Sequence, residues 1–250
     1  MTVSFFESPL FLPARAVYRS IFQRKRMAEY AVMRSFYGQF YGRGDLVFDV
    51  GANQGEYSEI FAQSGARVIS VEPNPAFRAR LERLAKFRTI VPEFCAVGEQ
   101  EGSATLNVCS QPAFSTLHGE LTEWVKDSPD YRDARWTDKV TVPVVTLDRL
   151  AERHGLPAFV KIDVEGFEDR AIRGMSFNPR VVSFEFGARR KQIAQQCIAD
   201  LGKRGYQFNP IVGRVVAFDS DRWLSAQEAV EWLNGFTVDR AEYGDMFAKL

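Results

Sequence analysis

Short apolar, β-prone runs alternate with amphipathic stretches from Gly44 onward. This rhythm predicts an α/β fold: a Rossmann-like, doubly wound sheet, mostly parallel with the last strand antiparallel, carrying an N-terminal helical extension. Three observations carry the expectation. The run Leu46-Val47-Phe48-Asp49-Val50 feeds directly into a glycine-containing turn, Gly51-Ala52-Asn53-Gln54-Gly55. The next run, Arg67-Val68-Ile69-Ser70-Val71, closes on an acid, Glu72, 21 residues after Gly51. A later run, Phe159-Val160-Lys161-Ile162-Asp163-Val164, opens into a mouth crowded with ionisable groups.

The elements follow in order. Residues 1–43 are set apart by basic residues (Arg15, Arg19, Arg24, Lys25, Arg26, Arg34, Arg43) opposed only by Glu7 and Glu29. Apolar residues from Val17 to Tyr37 recur there at helical spacing, which predicts one or two amphipathic helices packed on the main domain. A lid over the ligand and a membrane-surface helix are the functional alternatives. The main domain spans 44–250, with strand one at Leu46–Val50, a helix over about 55–64, strand two at Val68–Val71 and a helix over Pro75–Lys86. Strand three covers Thr89–Val91, with a further piece at Cys95–Val97. Residues 103–147 then form an insertion too long for an ordinary crossover, with β-prone pieces at Ala104–Val108 and Val140–Val145. A helix at Leu147–His154 restores the rhythm, strand four is Phe159–Val164, a helix follows over Phe167–Arg173, and strand five is Val181–Phe186. After a helix over Arg190–Lys203, the runs Tyr206–Ile211 and Arg214–Phe218 predict a closing hairpin turned at Gly213.

Composition narrows the function classes. With 250 residues, 46% hydrophobic and 13% aromatic, the chain can bury a sizeable core. Lys+Arg and Asp+Glu both number 32, so no overall field recruits nucleic acid. The three cysteines (Cys95, Cys109, Cys197) form no Cys-x-x-Cys and read as reduced thiols of a cytoplasmic protein. Two histidines exclude a histidine-rich metal centre, and no apolar run approaches the 18 residues a membrane span requires. No signal peptide is read, since Glu7 interrupts the first apolar run.

The motifs point to a nucleoside ligand. The spacing Gly51-x-x-x-Gly55 is not the Gly-x-Gly-x-x-Gly of dinucleotide folds, and Asp49 and Glu72 put carboxylates where a pyrophosphate would be repelled. A ligand with a ribose and a cationic, phosphate-free tail fits, and S-adenosylmethionine is one. Glu72 offers two oxygens to a ribose diol, Gly51 lets the turn approach the ligand, and Asp49 lies at the strand end, where such sheets bind ligands. Asn53, Gly55 and Tyr57 line the same turn, while Pro73 and the segment around Cys95 and Ala96 are expected near the adenine. In Lys161-Ile162-Asp163-Val164-Glu165, period two would place Lys161, Asp163 and Glu165 on one strand face, aimed into a wet site. Lys161 would hold one acid ionised while the other takes the acceptor's proton, with Asp163 also close to the donor. Should a divalent metal take part, Asp163, Glu165 and Glu185 are its oxygen ligands. His118, beside Ser115 and Thr116 in the insertion, is a candidate base. His154, before Gly155, reads as a partner of a helix dipole.

Taken together, Phe48-Asp49-Val50-Gly51-Ala52-Asn53-Gln54-Gly55, Val71-Glu72-Pro73-Asn74-Pro75, Ala96-Val97-Gly98, Thr146-Leu147-Asp148 and Val160-Lys161-Ile162-Asp163-Val164-Glu165-Gly166-Phe167-Glu168 resemble the FkbM-type methyltransferases over residues 44–190. The resemblance implies a seven-stranded class I methyltransferase sheet. It also implies S-adenosylmethionine as methyl donor and O-methylation of a hydroxyl on a sugar, glycan or secondary metabolite. An NAD(P)-dependent oxidoreductase is disfavoured by the missing third glycine and the lack of a Tyr-x-x-x-Lys pair. An inactive nucleoside-binding interaction module is the non-enzymatic alternative.

Overall fold

The computed structural model describes residues 27–86, 88–119, 132–213 and 216–250. A helix, α1, spans residues 27–37. There follow β1 (Leu46–Val50), α2 (Glu56–Gln63), β2 (Arg67–Val71), α3 (Arg78–Ala85), β3 (Ile90–Glu93), β4 (Ala96–Val97), β5 (Gly102–Cys109) and β6 (Trp136–Val145). Then come α4 (Leu147–His154), β7 (Phe159–Ile162), α5 (Glu168–Arg173), β8 (Val181–Gly187), α6 (Lys191–Gly202), β9 (Gln207–Val212), α7 (Ala226–Gly235) and β10 (Tyr243–Lys249). The main sheet has seven strands in the order β3-β2-β1-β7-β8-β10-β9. β1, β2, β3, β7 and β8 pair in parallel, and the last strand, β10, runs antiparallel between β8 and β9. Every residue of β1 and β7 is buried, as expected of central strands covered on both faces.

Two differences from the sequence-based expectation concern strand pairing. β9 does not close a hairpin on the segment after Gly213. Its partner is β10, which arrives only after α7. Residues 214 and 215 lie outside the described residues, and 216–218 form no strand. A hairpin and a distant partner leave the same alternation in the sequence, so local pattern could not separate them. The insertion forms a second, three-stranded sheet, β4-β6-β5, in which β5 and β6 pair antiparallel over eight residue pairs while β4 pairs parallel to β6.

The two faces of the main sheet are packed differently. One carries a largely aliphatic core under α4, α5, α6 and α7, including Val160, Ile162, Phe184, Ile193, Ile198 and Leu233. The other is rich in aromatics, where Tyr37, Phe40 and Tyr41 join Phe61, Phe159 and Phe247. Tyr37 at the end of α1 and the turn after it are therefore part of the core, with Tyr30, Met33 and Phe36 of α1 packed against it. Tyr30 Oη donates to Glu56 Oε1 at 2.6 Å and Arg34 Nη1 to Gln63 Oε1 at 2.6 Å, tying α1 to α2. This is the packing expected of the basic amphipathic stretch, whose earlier part, residues 1–26, lies outside the described residues. Among the described residues no helix is long and apolar enough to cross a membrane.

Candidate active site

The carboxyl ends of β1, β2, β7 and β8 converge on one rim. On the β1–β2 side the turn after β1 is held by backbone. Gly51 N and Ala52 N both donate to the Val71 carbonyl, at 2.9 and 3.0 Å. Asn53 adopts a left-handed φ of 53°, and its N–H donates to Glu72 Oε2 at 2.8 Å, while Asn74 N donates to Oε1 at 2.7 Å. Glu72 is only 7% exposed, and burial pushes its carboxyl up to about 7 despite these two donors.

Gly51 has φ +83°, and a Cβ there would stand 1.7 Å from the Asp163 carbonyl oxygen. The glycine thus lets β1 press against the end of β7; the close approach is to protein backbone. A Cβ on Gly55 would likewise meet Leu84 Cδ1 at 2.6 Å, a packing constraint from α3. Asp49 is buried beneath the turn, where Ser58 Oγ donates to it at 2.5 Å and also approaches Ser70 Oγ at 2.9 Å. Beyond Glu72, Pro73 borders a cleft of about 160 Å³ with Arg78, Phe94 and Val142. The Arg78 guanidinium sits 3.9 Å from the Phe94 ring centroid. Ala96 is buried in β4, and the Cys95 side chain belongs to the aliphatic core, where burial pushes the thiol up to about 12.

On the β7–β8 side the charges pair across elements. Lys161 Nζ lies 2.8 Å from Asp163 Oδ2, with side chains 2% and 31% exposed. The ammonium also sits 4.4 Å from the centroid of the Tyr57 ring, so Tyr57 forms the wall behind Lys161. Burial works to lower the Lys161 pKa, but Asp163 first, then Asp245, hold it well above its usual value. β7 ends at Ile162, and Glu165 has a left-handed φ of 53°. Period two therefore stops short of Glu165, and the expected shared face of Lys161, Asp163 and Glu165 does not extend to it. Lys161 itself is buried and ion-paired; it does not point into a wet cleft. The turn beyond is fastened by Glu168 Oε1, which accepts from Val164 N at 3.0 Å and Gly166 N at 3.2 Å.

Glu165 meets Arg190 Nη1 at 3.4 Å, and Arg190 Nη2 pairs with Glu185 on β8. Carboxylate oxygens of Asp163, Glu165 and Glu185 lie within 4.8 Å of one another. Asp245 on β10 stands opposite Glu185 in register, and burial pushes its carboxyl up to about 6 against the pull of Lys161.

The insertion reaches both sides of the rim. Asn74 Nδ2 donates to Ser115 Oγ at 3.0 Å, and Thr116 Oγ1 donates to the Glu165 carbonyl at 2.7 Å. His118 N donates to Thr116 Oγ1 at 2.9 Å, which sets His118 against the Glu165–Gly166 turn. It borders an open cleft of about 330 Å³ shared with Phe167, Asp169, Arg170 and Gln192. His154 lies in the last turn of α4, where a basic side chain faces the helix dipole, and its Nε2 is also 2.7 Å from Glu93 Oε1 on β3.

Arg190 and Asp245 were not anticipated. Arg190 sits five residues beyond Glu185 in a turn whose geometry no local pattern encodes. Asp245 interrupts the β-prone end of the chain, Tyr243-Gly244-Asp245-Met246-Phe247-Ala248. Its alternation with Met246 was a legible sign that one face of that strand meets a polar site.

Residues 49–222, well over half the chain, match the family model described as the methyltransferase FkbM domain. No curated protein matches the chain in sequence. Among solved structures, the precorrin-6y C5,15-methyltransferase of Geobacter metallireducens GS-15 is similar, with 13% identity, coverage of 88% of this chain and 86% of that one, and a TM-score of 0.39. The C-terminal domain of the precorrin-6Y C5,15-methyltransferase of Rhodobacter capsulatus has 12% identity, 87% coverage of each chain and a TM-score of 0.41. An SAM-dependent O-methyltransferase of Thermotoga maritima has 10% identity, coverage of 86% of this chain and 63% of that one, and a TM-score of 0.41.

Proposed function

The chain belongs to the methyltransferase FkbM family, and from that premise we propose that it transfers a methyl group from S-adenosylmethionine to a hydroxyl of a sugar, glycan or secondary metabolite. The donor supplies an electrophilic methyl on a sulfonium. The residues at the rim suit it: Glu72 uses one lone pair of each oxygen on Asn53 and Asn74, leaving others for a ribose diol. The carboxylates of Asp49, Glu72 and Asp163 favour a cationic ligand over a pyrophosphate. Pro73, Phe94, Cys95 and Ala96 border the adenine in this reading, with Cys95 contributing backbone, since its thiol faces the core.

The observation that carries the reading is the Lys161–Asp163 pair. The buried ammonium sits 2.8 Å from the Asp163 carboxylate, whose half-buried side chain remains open to the rim. Asp163 accepts the hydrogen bond of the acceptor hydroxyl, orients its oxygen toward the methyl and takes the proton late in transfer. Glu165 and His118 flank the acceptor, and Tyr57 and Asp49 keep Lys161 in position from behind. A cytoplasmic setting belongs to the same reading, in keeping with three buried free thiols. The test is a pair of variants measured by calorimetry and by transfer from labelled donor. Glu72→Ala should lose donor affinity, and Asp163→Asn should lose transfer while still binding donor. A wild-type protein that binds neither S-adenosylmethionine nor its demethylated product would sink the proposal.

A further inference from the structure

Three carboxylates within 4.8 Å of one another, on Asp163, Glu165 and Glu185, offer oxygen ligands of the kind a divalent cation takes. Here a guanidinium stands among them. Arg190 is buried, and its two terminal nitrogens divide between Glu165 and Glu185. Several features of the backbone serve that placement. Arg190 N donates to the Gly187 carbonyl at 3.1 Å, which turns the chain back over the end of β8. A Cβ on Gly187 would stand 2.8 Å from both Cγ and Nε of Arg190, so only glycine leaves room for the stem. Glu165 reaches the guanidinium from a left-handed φ of 53°, a conformation costly for a residue with a side chain and held by Thr116 on its carbonyl. Buried Glu168 adds a further negative charge facing Arg190 while fastening the same turn.

We infer that Arg190 is the resident cation of this site. It holds Glu165 and Glu185 side by side in the space a divalent ion would need, and the protein works without a metal there. A planar, permanently charged fork suits two fixed carboxylates better than an ammonium would. Arg190 is thus a positioning residue acting through Glu165 and Glu185. The inference concerns the cation of the proposed methyl-transfer site but does not depend on which group is methylated.

Its test is a Mn²⁺ titration followed by calorimetry and thermal melting, on wild type and on Arg190→Ala. At about 1 mM Mn²⁺, near the weak end of protein cation affinities, wild type should show neither heat nor a shifted melt. Arg190→Ala removes the cation between Glu165 and Glu185, leaving Asp163 paired with Lys161, and should melt lower without metal. It should then gain stoichiometric Mn²⁺ binding and a melting rise of roughly 2 °C or more. Removing Glu185 as well, in Arg190→Ala/Glu185→Gln, should abolish that gain. Stoichiometric Mn²⁺ binding by wild type that Glu185→Gln removes would overturn the inference, and so would a folded Arg190→Ala with no response. If Arg190→Ala does not fold, Arg190→Met keeps the packing of the stem and carries the same comparison. Donor binding is measured on the same samples. Its absence from wild type would fail the methyltransferase reading while leaving the Mn²⁺ result to decide this one.

Discussion

The β1–β2 side and the β7–β8 side of the rim are built by different means. On the first, a carboxylate is held by backbone N–H groups no more than 19 residues away, Asn53 and Asn74 on Glu72. On the second, carboxylates are held by cations: Asp163 by Lys161 two residues away, and Glu165 by Arg190 across 25 residues. Backbone donors are neutral and leave Glu72 with a carboxyl pushed up to about 7. On the second side the counter-charge is a buried ammonium and a buried guanidinium, so neutral dipoles balance the carboxylate of one side and full cations those of the other.

Gly51→Ala breaks the comparison most severely, because that glycine joins the two sides. A methyl group 1.7 Å from the Asp163 carbonyl, at φ +83°, must push β1 away from β7. The expected cost is roughly 3 kcal/mol or more, with donor binding and transfer lost together, read by denaturant melts and calorimetry. Loss of donor binding alone, with stability intact, would mean the two sides are independent. Asp163→Asn separates them: transfer should fall by about 10²–10⁴-fold with donor affinity nearly unchanged. Near-normal turnover would make the pair structural. Glu72→Ala does the reverse, costing donor affinity at least about tenfold through lost charge-assisted hydrogen bonds, with stability lowered by about 1–3 kcal/mol as Asn53 N and Asn74 N lose their acceptor.

The smallest effect is a pH dependence confined to the β1–β2 side. The Glu72 carboxyl titrates at about 7 folded against 4.5 ordinarily, so its neutral form is the one folding favours. Its contribution to stability is present below 4.5 and lost as pH rises through about 7. A ribose diol favours the ionised form, so donor affinity should rise by a few-fold across that window. Binding should release a proton below pH 7 and none well above it. Calorimetry in buffers of different ionisation heat measures this directly, and Glu72→Gln should flatten it.

The same contrast explains what could be read from sequence. β1, the turn at Gly51–Gly55, Glu72 and α4 lie in contiguous stretches whose period and residue types suffice, and they fall where expected. The partner of β9 and the cation facing Glu165 are set by chain segments tens of residues apart, which no window spans. Gly51 requires glycine, as its place in the motif implies, and the neighbour that fixes the requirement in the fold is the Asp163 carbonyl. A left-handed turn looks the same in sequence whether a ligand or a strand lies against it. Glu165 departs from strand period for a related reason: β7 ends three residues earlier, at Ile162, and the backbone turns before it.

One peptide of the insertion spans this divide. Ser115 is joined to Asn74 beside the β2 end, and the adjacent Thr116 is joined to the turn carrying Glu165. Neighbouring residues with arms to opposite banks act as a tie-rod, a second link across the gap that β1 and β7 already bridge at Gly51. A laboratory grafting such excursions between relatives should keep those two hydroxyls, since they tie the excursion to both banks.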